Sequence, residues 1–221
     1  MKKILMIVLV IACAISLFAC GEESELTPVE SINAMYAVSC PTKIETTTVQ
    51  VINGVTFNGL DTLVAGKVDG KEAVVYTYSY EELQDVEAGA DEPIKTVSGT
   101  VEYLEGKGTR NNGGAWNADG ASFAPTPGSV ALTISEELIA NMVKEENTFT
   151  FDVAAANTAA VLGEENAVNA DVHVVVTTNG AVVTGVTISY TIAATDAGDP
   201  EISVNIATVY SYDLQAVTLT K

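Results

Sequence analysis

Chemistry in this chain would have to run on few groups. The single histidine, His173, stands in Val172-His173-Val174-Val175-Val176, so a metal site built from several imidazoles is excluded. One imidazole would be enough for a Ser/His/Asp arrangement, but no Gly-x-Ser-x-Gly elbow or Ser-x-x-Lys pair accompanies it. Alternation with Val172 and Val174 makes it instead part of a strand face, in a structural role. Carboxylates come in adjacent pairs at Glu81-Glu82, Glu136-Glu137, Glu145-Glu146 and Glu164-Glu165. Neighbours on a strand or helix point in different directions, so none of these pairs makes an acid/base dyad by itself, and solvated edges explain them. Asp196-Ala197-Gly198-Asp199 lacks the alternating oxygen ligands of a calcium loop and reads as a polar hairpin turn. Gly106-Lys107-Gly108 with Gly113-Gly114 opens onto no helix and has no Gly-Lys-Ser/Thr ending, which makes it a turn and not a phosphate cradle. No catalytic residue, metal ligand set or cofactor site is expected, and the protein is read as non-enzymatic.

The cysteines point elsewhere. Cys13 lies in an apolar N-terminal run and Cys20 directly follows it, which leaves Cys40 as the one thiol of the remaining chain if Cys20 is modified, with no intrachain disulfide. In Ala37-Val38-Ser39-Cys40-Pro41 the only basic neighbour is Lys43, so Cys40 is expected to be a small buried hydrophobe and not a reactive thiol.

The elements that would position any site are mostly strands. Thr27-Pro28-Val29-Glu30 carries the signs of a helix start, with Thr27 as N-cap and Glu30 three residues on, for a short helix through Tyr36 that Pro41 terminates. From Ile44 the vocabulary turns to Val, Thr, Tyr and Ile, which suit a pleated, half-buried surface. Asn53-Gly54, Asp69-Gly70 and Asn179-Gly180 separate such runs and tolerate the positive φ angles of tight hairpins. Alternation sets the faces: Val97, Val101 and Tyr103 on one side of a strand; Val186, Ile188, Tyr190 and Ile192 on another; Ile202, Val204, Ile206, Thr208, Tyr210 and Tyr212 on a third. Helix is expected again over about residues 134–146, from the capping box Thr133-Ile134-Ser135-Glu136 and the Leu138/Met142 and Ile139/Val143 pairs. A further short helix from Asp152 or Ala155 to Leu162 ends at Gly163. Lys107 to Gly128, with Trp116 and Phe123, reads as one long loop. The fold class is mainly β: a curved antiparallel sheet or incomplete β-barrel with two or three short helices on its concave side.

The N-terminus supplies the most specific signal. Met1-Lys2-Lys3 is a short positive start, Ile4 to Leu17 an unbroken apolar run, and Leu17-Phe18-Ala19-Cys20 closes it. About fourteen apolar residues at 1.5 Å each fall short of the roughly 30 Å hydrocarbon core, so an export signal fits better than a spanning helix. Leu17, Phe18, Ala19 and Cys20 resemble the lipobox of bacterial lipoproteins, with Leu17, Phe18 and Ala19 as signal-peptidase recognition residues. The resemblance implies a diacylglyceryl thioether, and palmitate-type acylation, on Cys20. The alternative is an ordinary secretory signal cut near Ala19, which would leave Cys20 a free thiol. The expected organisation is a signal peptide at 1–19, a lipidated tether at 20–28 and a single β-rich domain at 29–221, exported to the cell envelope and facing periplasm or exterior. The lipid on Cys20 is the expected link to a membrane; protein partners are left open.

Charge agrees with that placement. Loss of Lys2 and Lys3 leaves eight Lys and Arg against 29 Asp and Glu, a formal charge of −21. Such a surface repels phosphate backbones, which excludes nucleic acid as a partner, and disfavours direct adhesion to anionic headgroups, so the lipid must do the anchoring.

Taken together, the signal, the cysteine, the short N-terminal helix, the long strands, the Trp116 loop and the final Thr208-Val209-Tyr210-Ser211-Tyr212-Asp213 strand look like the layout of the LolA/LprG-type lipoprotein-carrier and lipid-binding superfamily. That resemblance implies an incomplete barrel whose helices close an apolar cavity for acyl chains. Independently of it, strands with one long apolar face must bury that face, and the helices in prospect are too few to cover it all. Tyr76, Tyr78, Trp116 and Tyr190 are the candidates for a pocket lining. The alternative is a solid-core β domain for adhesion, envelope structure or protein contact; a hydrolase, third, would need a cleft with His173 beside an oriented nucleophile and carboxylate.

Overall fold

The computed structural model describes residues 26–83, 94–118, 132–194 and 200–220. Residues 1–25, and with them Leu17 to Cys20, lie outside the described residues, as do the whole Asp196 to Asp199 turn and Phe123.

The described residues form one sheet of ten antiparallel strands: β1 (Lys43–Ile52), β2 (Val55–Val68), β3 (Lys71–Leu83), β4 (Ile94–Leu104), β5 (Gly108–Asn111), β6 (Ala140–Glu145), β7 (Thr148–Val153), β8 (Val172–Thr178), β9 (Val183–Ile192) and β10 (Ile202–Ser211). Their order across the sheet is β5-β4-β3-β2-β1-β10-β9-β8-β7-β6. Every consecutive pair is a neighbour except β5 and β6, and the ring that an up-and-down meander would form is opened at that point, while β1 and β10 pair in the middle. The expected curved antiparallel sheet, open and not closed into a barrel, is what the chain adopts, with its helices on one face.

Local sequence explains most of these elements. Helix α1 (Pro28–Val38) starts with the full capping box: Thr27 accepts from the Glu30 backbone N–H and Glu30 accepts from that of Thr27 at 2.9 Å. The Asn53-Gly54 and Asp69-Gly70 turns hold both residues at positive φ, 50° and 81° in the first, 51° and 79° in the second, the twist that lets two-residue hairpins continue flanking strands. At Asn179-Gly180 the connection is longer, with the Asn179 side chain accepting from the Ala181 and Val182 N–H groups. The expected helix before Gly163 appears as a 3-10 turn (Ala155–Asn157) running into α2 (Thr158–Leu162); Asp152 belongs to β7.

Three expectations are corrected. Residues 134–146 do not form a helix: Ile134 is buried in extended chain, 136–138 turn, and β6 follows as an edge strand. The reason is β7, whose Phe149 and Phe151 need an antiparallel neighbour; Glu146-Asn147 supplies the hairpin turn, with Glu146 at φ 48°. A glutamate in that conformation is an uncommon turn signal, and local helix propensity yields to the sheet. The stretch from Lys107 is not one loop either, because Gly108–Asn111 is β5 and Thr109 bridges Asn117. Cys40 is exposed, not buried: Ser39 takes the inward position, donating to the Met35 carbonyl at 2.8 Å and accepting from Val183 N at 3.0 Å.

The core is lopsided. Phe149, Phe151, Val153, Val172, Val174, Val176 and Val186 meet Val29 and Ile32 of α1 and Val161 and Leu162 of α2, and this cluster draws no residue from β1 to β5. On the other face, the C-terminal segment after β10 runs behind β2 to β5. Val217 packs where Gly66 has no side chain, and at the end Thr220 donates to the fully buried Glu102 through its N–H and its hydroxyl (2.9 Å). Arg110 pairs with the same carboxylate and bonds the Thr220 carbonyl. Burial alone would raise the Glu102 pKa; the donors from Thr220 and Arg110 outweigh it and hold the carboxyl below its ordinary value.

A group depressed in the folded state contributes stability that is complete above its unfolded value, near 4.3, and lost as pH falls through the folded value. Acid should therefore release the tail at a pH below about 4. Trp116, whose ring lies 4.5 Å from the Arg110 guanidinium, reports it: its emission should shift in that range, and Glu102→Gln should bring the shift to neutral pH. An emission that ignores both changes would refute the latch.

Candidate functional site

The helix-bearing, concave face holds the site. Between α2 with the chain after it and the strands β9 and β10 lies a cavity of about 360 Å³, lined by Leu132, Leu162, Val168, Val186, Ile188, Tyr190, Ile206, Thr208 and Tyr210, with Glu165, Asn166 and Ala167 at its side. Its walls are apolar because alternation puts Val186, Ile188 and Tyr190 of β9 and Ile206 and Tyr210 of β10 on the face that the helices cover. Burial raises the phenol pKa of Tyr190, and of Tyr210 further, so both stay neutral at physiological pH.

Register carries the same face beyond the cavity. Val174, Ile188, Ile206, Thr48, Gly59 and Tyr80 form one cross-strand row; Val186, Thr208, Thr46, Asp61, Tyr78 and Gly99 form the next. Small groups floor the middle, where the Thr46 and Thr208 hydroxyls bond each other at 3.1 Å and Gly59 brings no side chain. Beyond them stands a ladder of tyrosines on β3: Tyr76 and Tyr78 with ring centres 5.9 Å apart, Tyr78 and Tyr80 at 6.2 Å. Gly99 is needed there, since a side chain at 99 would collide with the Tyr78 ring. The Tyr76 hydroxyl donates to Asp61 at 2.8 Å, and burial together with that bond pushes its pKa up to about 12. Phe57 and Val74 are buried on this half of the face, but Leu63, Tyr76, Tyr78, Val97 and Val101 are only half-buried and Tyr80 is 43 % exposed, so among the described residues it presents a partly open aromatic and aliphatic surface.

The sequence candidates divide accordingly. Tyr190 lines the cavity, and Tyr76 and Tyr78 lie on its face four strands away. Trp116 does not join them. It stacks on Arg110, and Arg110 pairs with Glu102, which alternates with Val101 and Tyr103 and so faces the other side of the sheet. Sequence reasoning missed Asp61, although one carboxylate between Leu60 and Leu63 on a strand was a signal. It also missed Leu132, Leu162 and Val168, which are brought in by chain that only tertiary packing places.

Other hollows differ in character. A cleft of about 620 Å³ opens at the strand ends beside Cys40, Pro41, Lys67 and Glu72, but one wall is the tail itself at Leu214 and Gln215. On the convex side a hollow of about 370 Å³ contains Asn141, Asp152, Asp171, His173 and Ser189. Asp152 accepts from Asn141 and bonds His173 Nδ1, each at 2.8 Å, and these bonds, Asn141's first, hold its carboxyl below the ordinary range. Ser189 is the cross-strand neighbour of His173, yet the hydrogen bonds of the group stop at the imidazole. Both residues are mid-sheet, with backbone N–H groups committed to the ladders, so no amide pair is free to hold an oxyanion. The described residues contain no group of three or more His, Cys, Asp and Glu placed to hold a metal ion, and no helix among them is long and apolar enough to cross a membrane.

No protein-family model matches the chain, and no curated protein matches it. Among solved structures, an S-type phycobiliprotein lyase from Guillardia theta aligns at a TM-score of 0.31 and 6 % identity, over 83 % of this chain and 94 % of that one.

One buried polar atom of the cluster has no partner among the described residues, the Tyr36 hydroxyl on α1, beside Tyr210 and Tyr212. An unsatisfied hydroxyl costs free energy that its removal returns, so Tyr36→Phe should leave stability unchanged or raise it by up to about 1 kcal/mol in urea unfolding. A loss above that size would mean that the hydroxyl is bonded.

Proposed function

We propose that the protein is an exported lipoprotein, fixed to a membrane through lipid on Cys20, whose concave face binds an apolar chain. It belongs by this reading with the lipoprotein-carrier and lipid-binding proteins that its layout resembles, and acts by shielding a ligand from water without bond chemistry. The observation that carries the reading is the apolar cavity of about 360 Å³ on the face of the sheet that also bears the partly open tyrosine ladder. A solid-core display domain would fill that space with its own side chains. Each Å² of apolar surface hidden there is worth about 25 cal/mol, enough for a medium alkyl chain to bind usefully. The stretch from Gly21 to Leu26, ahead of the α1 cap, then serves as a tether between bilayer and domain, and the acidic surface keeps the domain off anionic headgroups.

Two measurements test this. Protein produced without residues 1–20 should release lipid into organic solvent, detectable by mass spectrometry, or take up the neutral dye Nile red. Ile206→Trp, which fills the cavity, should weaken uptake severalfold with an unchanged circular dichroism spectrum. No extracted lipid and no uptake would favour the display domain. The anchor is tested separately: the mature N-terminal residue should carry the mass of added lipid, and Cys20→Ser should abolish it and free the protein from the membrane fraction.

A further inference from the structure

The groups around the trough select for a head as well as a chain. Asp61 lies in the row of Thr208, a cavity residue, and two strands away, about 10 Å. Its carboxylate is half-buried, accepts from Tyr76, and is flanked by Tyr78, its cross-strand partner. Among the described residues, basic groups keep away from it. On this face Lys67 and Lys95 lie at opposite ends of the strands, across from Glu72 and 2.8 Å from Glu82, and Lys144 lies over Phe149 at the far edge. Lys43 and Arg110 pair with Glu45 and Glu102 on the opposite face. No Lys or Arg lines the cavity, and its one charged wall residue is Glu165. Among the described residues, an anionic head, such as a fatty carboxylate, would meet like charge and no compensating donor cation. A cation would meet a carboxylate and aromatic faces, the pairing that holds ammonium groups.

Resting on the reading of this face as a ligand site, we propose that its ligand is an amphiphile with an ammonium head, its chain in the β9–β10 cavity and its head on Asp61 and the tyrosines of β3. Displacement of Nile red from the protein lacking residues 1–20 tests it, with dodecyltrimethylammonium, dodecanol and dodecanoate as competitors, each below its micelle concentration and at physiological salt. The ammonium should act at a concentration about tenfold lower than the carboxylate, with the alcohol between. Asp61→Asn should bring the ammonium towards the alcohol. Asp69→Asn, at the exposed β2–β3 turn, removes the same charge and should leave the ranking alone, which separates a site from the diffuse pull of an acidic protein. Equal or better displacement by dodecanoate, or an Asp61→Asn variant with the ranking intact, would overturn the ammonium assignment while leaving an apolar site in place. Failure of every chain to displace, or of the dye to bind, would overturn both.

Discussion

The pairing of β1 with β10 is the constraint on which everything else rests. Ten residues of each strand run in register, from Lys43 opposite Ser211 to Ile52 opposite Ile202, and they join two five-stranded meanders that would otherwise be separate. Because side chains alternate, this register decides that the helix-covered face of β6 to β10 and the tyrosine face of β1 to β4 are the same side of one sheet. A slip of one residue would send Asp61 and the tyrosines to the side where the tail lies. The hydroxyl contact between Thr46 and Thr208 and the apolar match of Ile52 with Ile202 both favour the observed register.

An uneven division of burial follows. The half from β6 to β10 is a conventional two-layer arrangement, with Phe149 and Phe151 fully buried beneath α1 and α2. The half from β1 to β5 is covered on its convex side by the C-terminal segment, which is tied to the buried Glu102 and Arg110. That tie is demanding, since a buried carboxylate without its donors would be strongly destabilising. On the concave side of the same strands Phe57 and Val74 are buried, but Tyr76, Tyr78, Val97 and Val101 are only half-buried and Tyr80 is exposed. The apolar surface that a folded protein would normally hide is thus concentrated where a ligand can reach it.

What was legible in the sequence was local. The Thr27/Glu30 capping box, the Asn53-Gly54 and Asp69-Gly70 turns and the alternation in β9 and β10 each depend on residues a few positions apart, and each is realised. The failures share a cause. Residues 134–146 hold a helical pattern but serve as an edge strand, because β7 requires a neighbour; Cys40 is outward because Ser39 is recruited by a backbone N–H 144 residues away. Trp116 stands on the wrong side for the pocket because Arg110 and Glu102 draw it there. For the site, composition pointed to tyrosines and chose three of four on the right face, but the β1–β10 join and the cavity wall from Leu132, Leu162 and Val168 are long-range products that no local pattern announces.

The central claim is that one continuous concave face, not the convex one, receives an alkyl chain. Nuclear Overhauser contacts between a carbon-13-labelled alkyl ligand and methyl-labelled protein examine it directly. Contacts from the chain to the Ile188 and Ile206 methyls, and from its head to the Tyr78 ring protons, are expected, with none to Val49 or Val51, which face the other way in β1. Contacts confined to Val49 and Val51, or a bound ligand with none to Ile188 and Ile206, would contradict it.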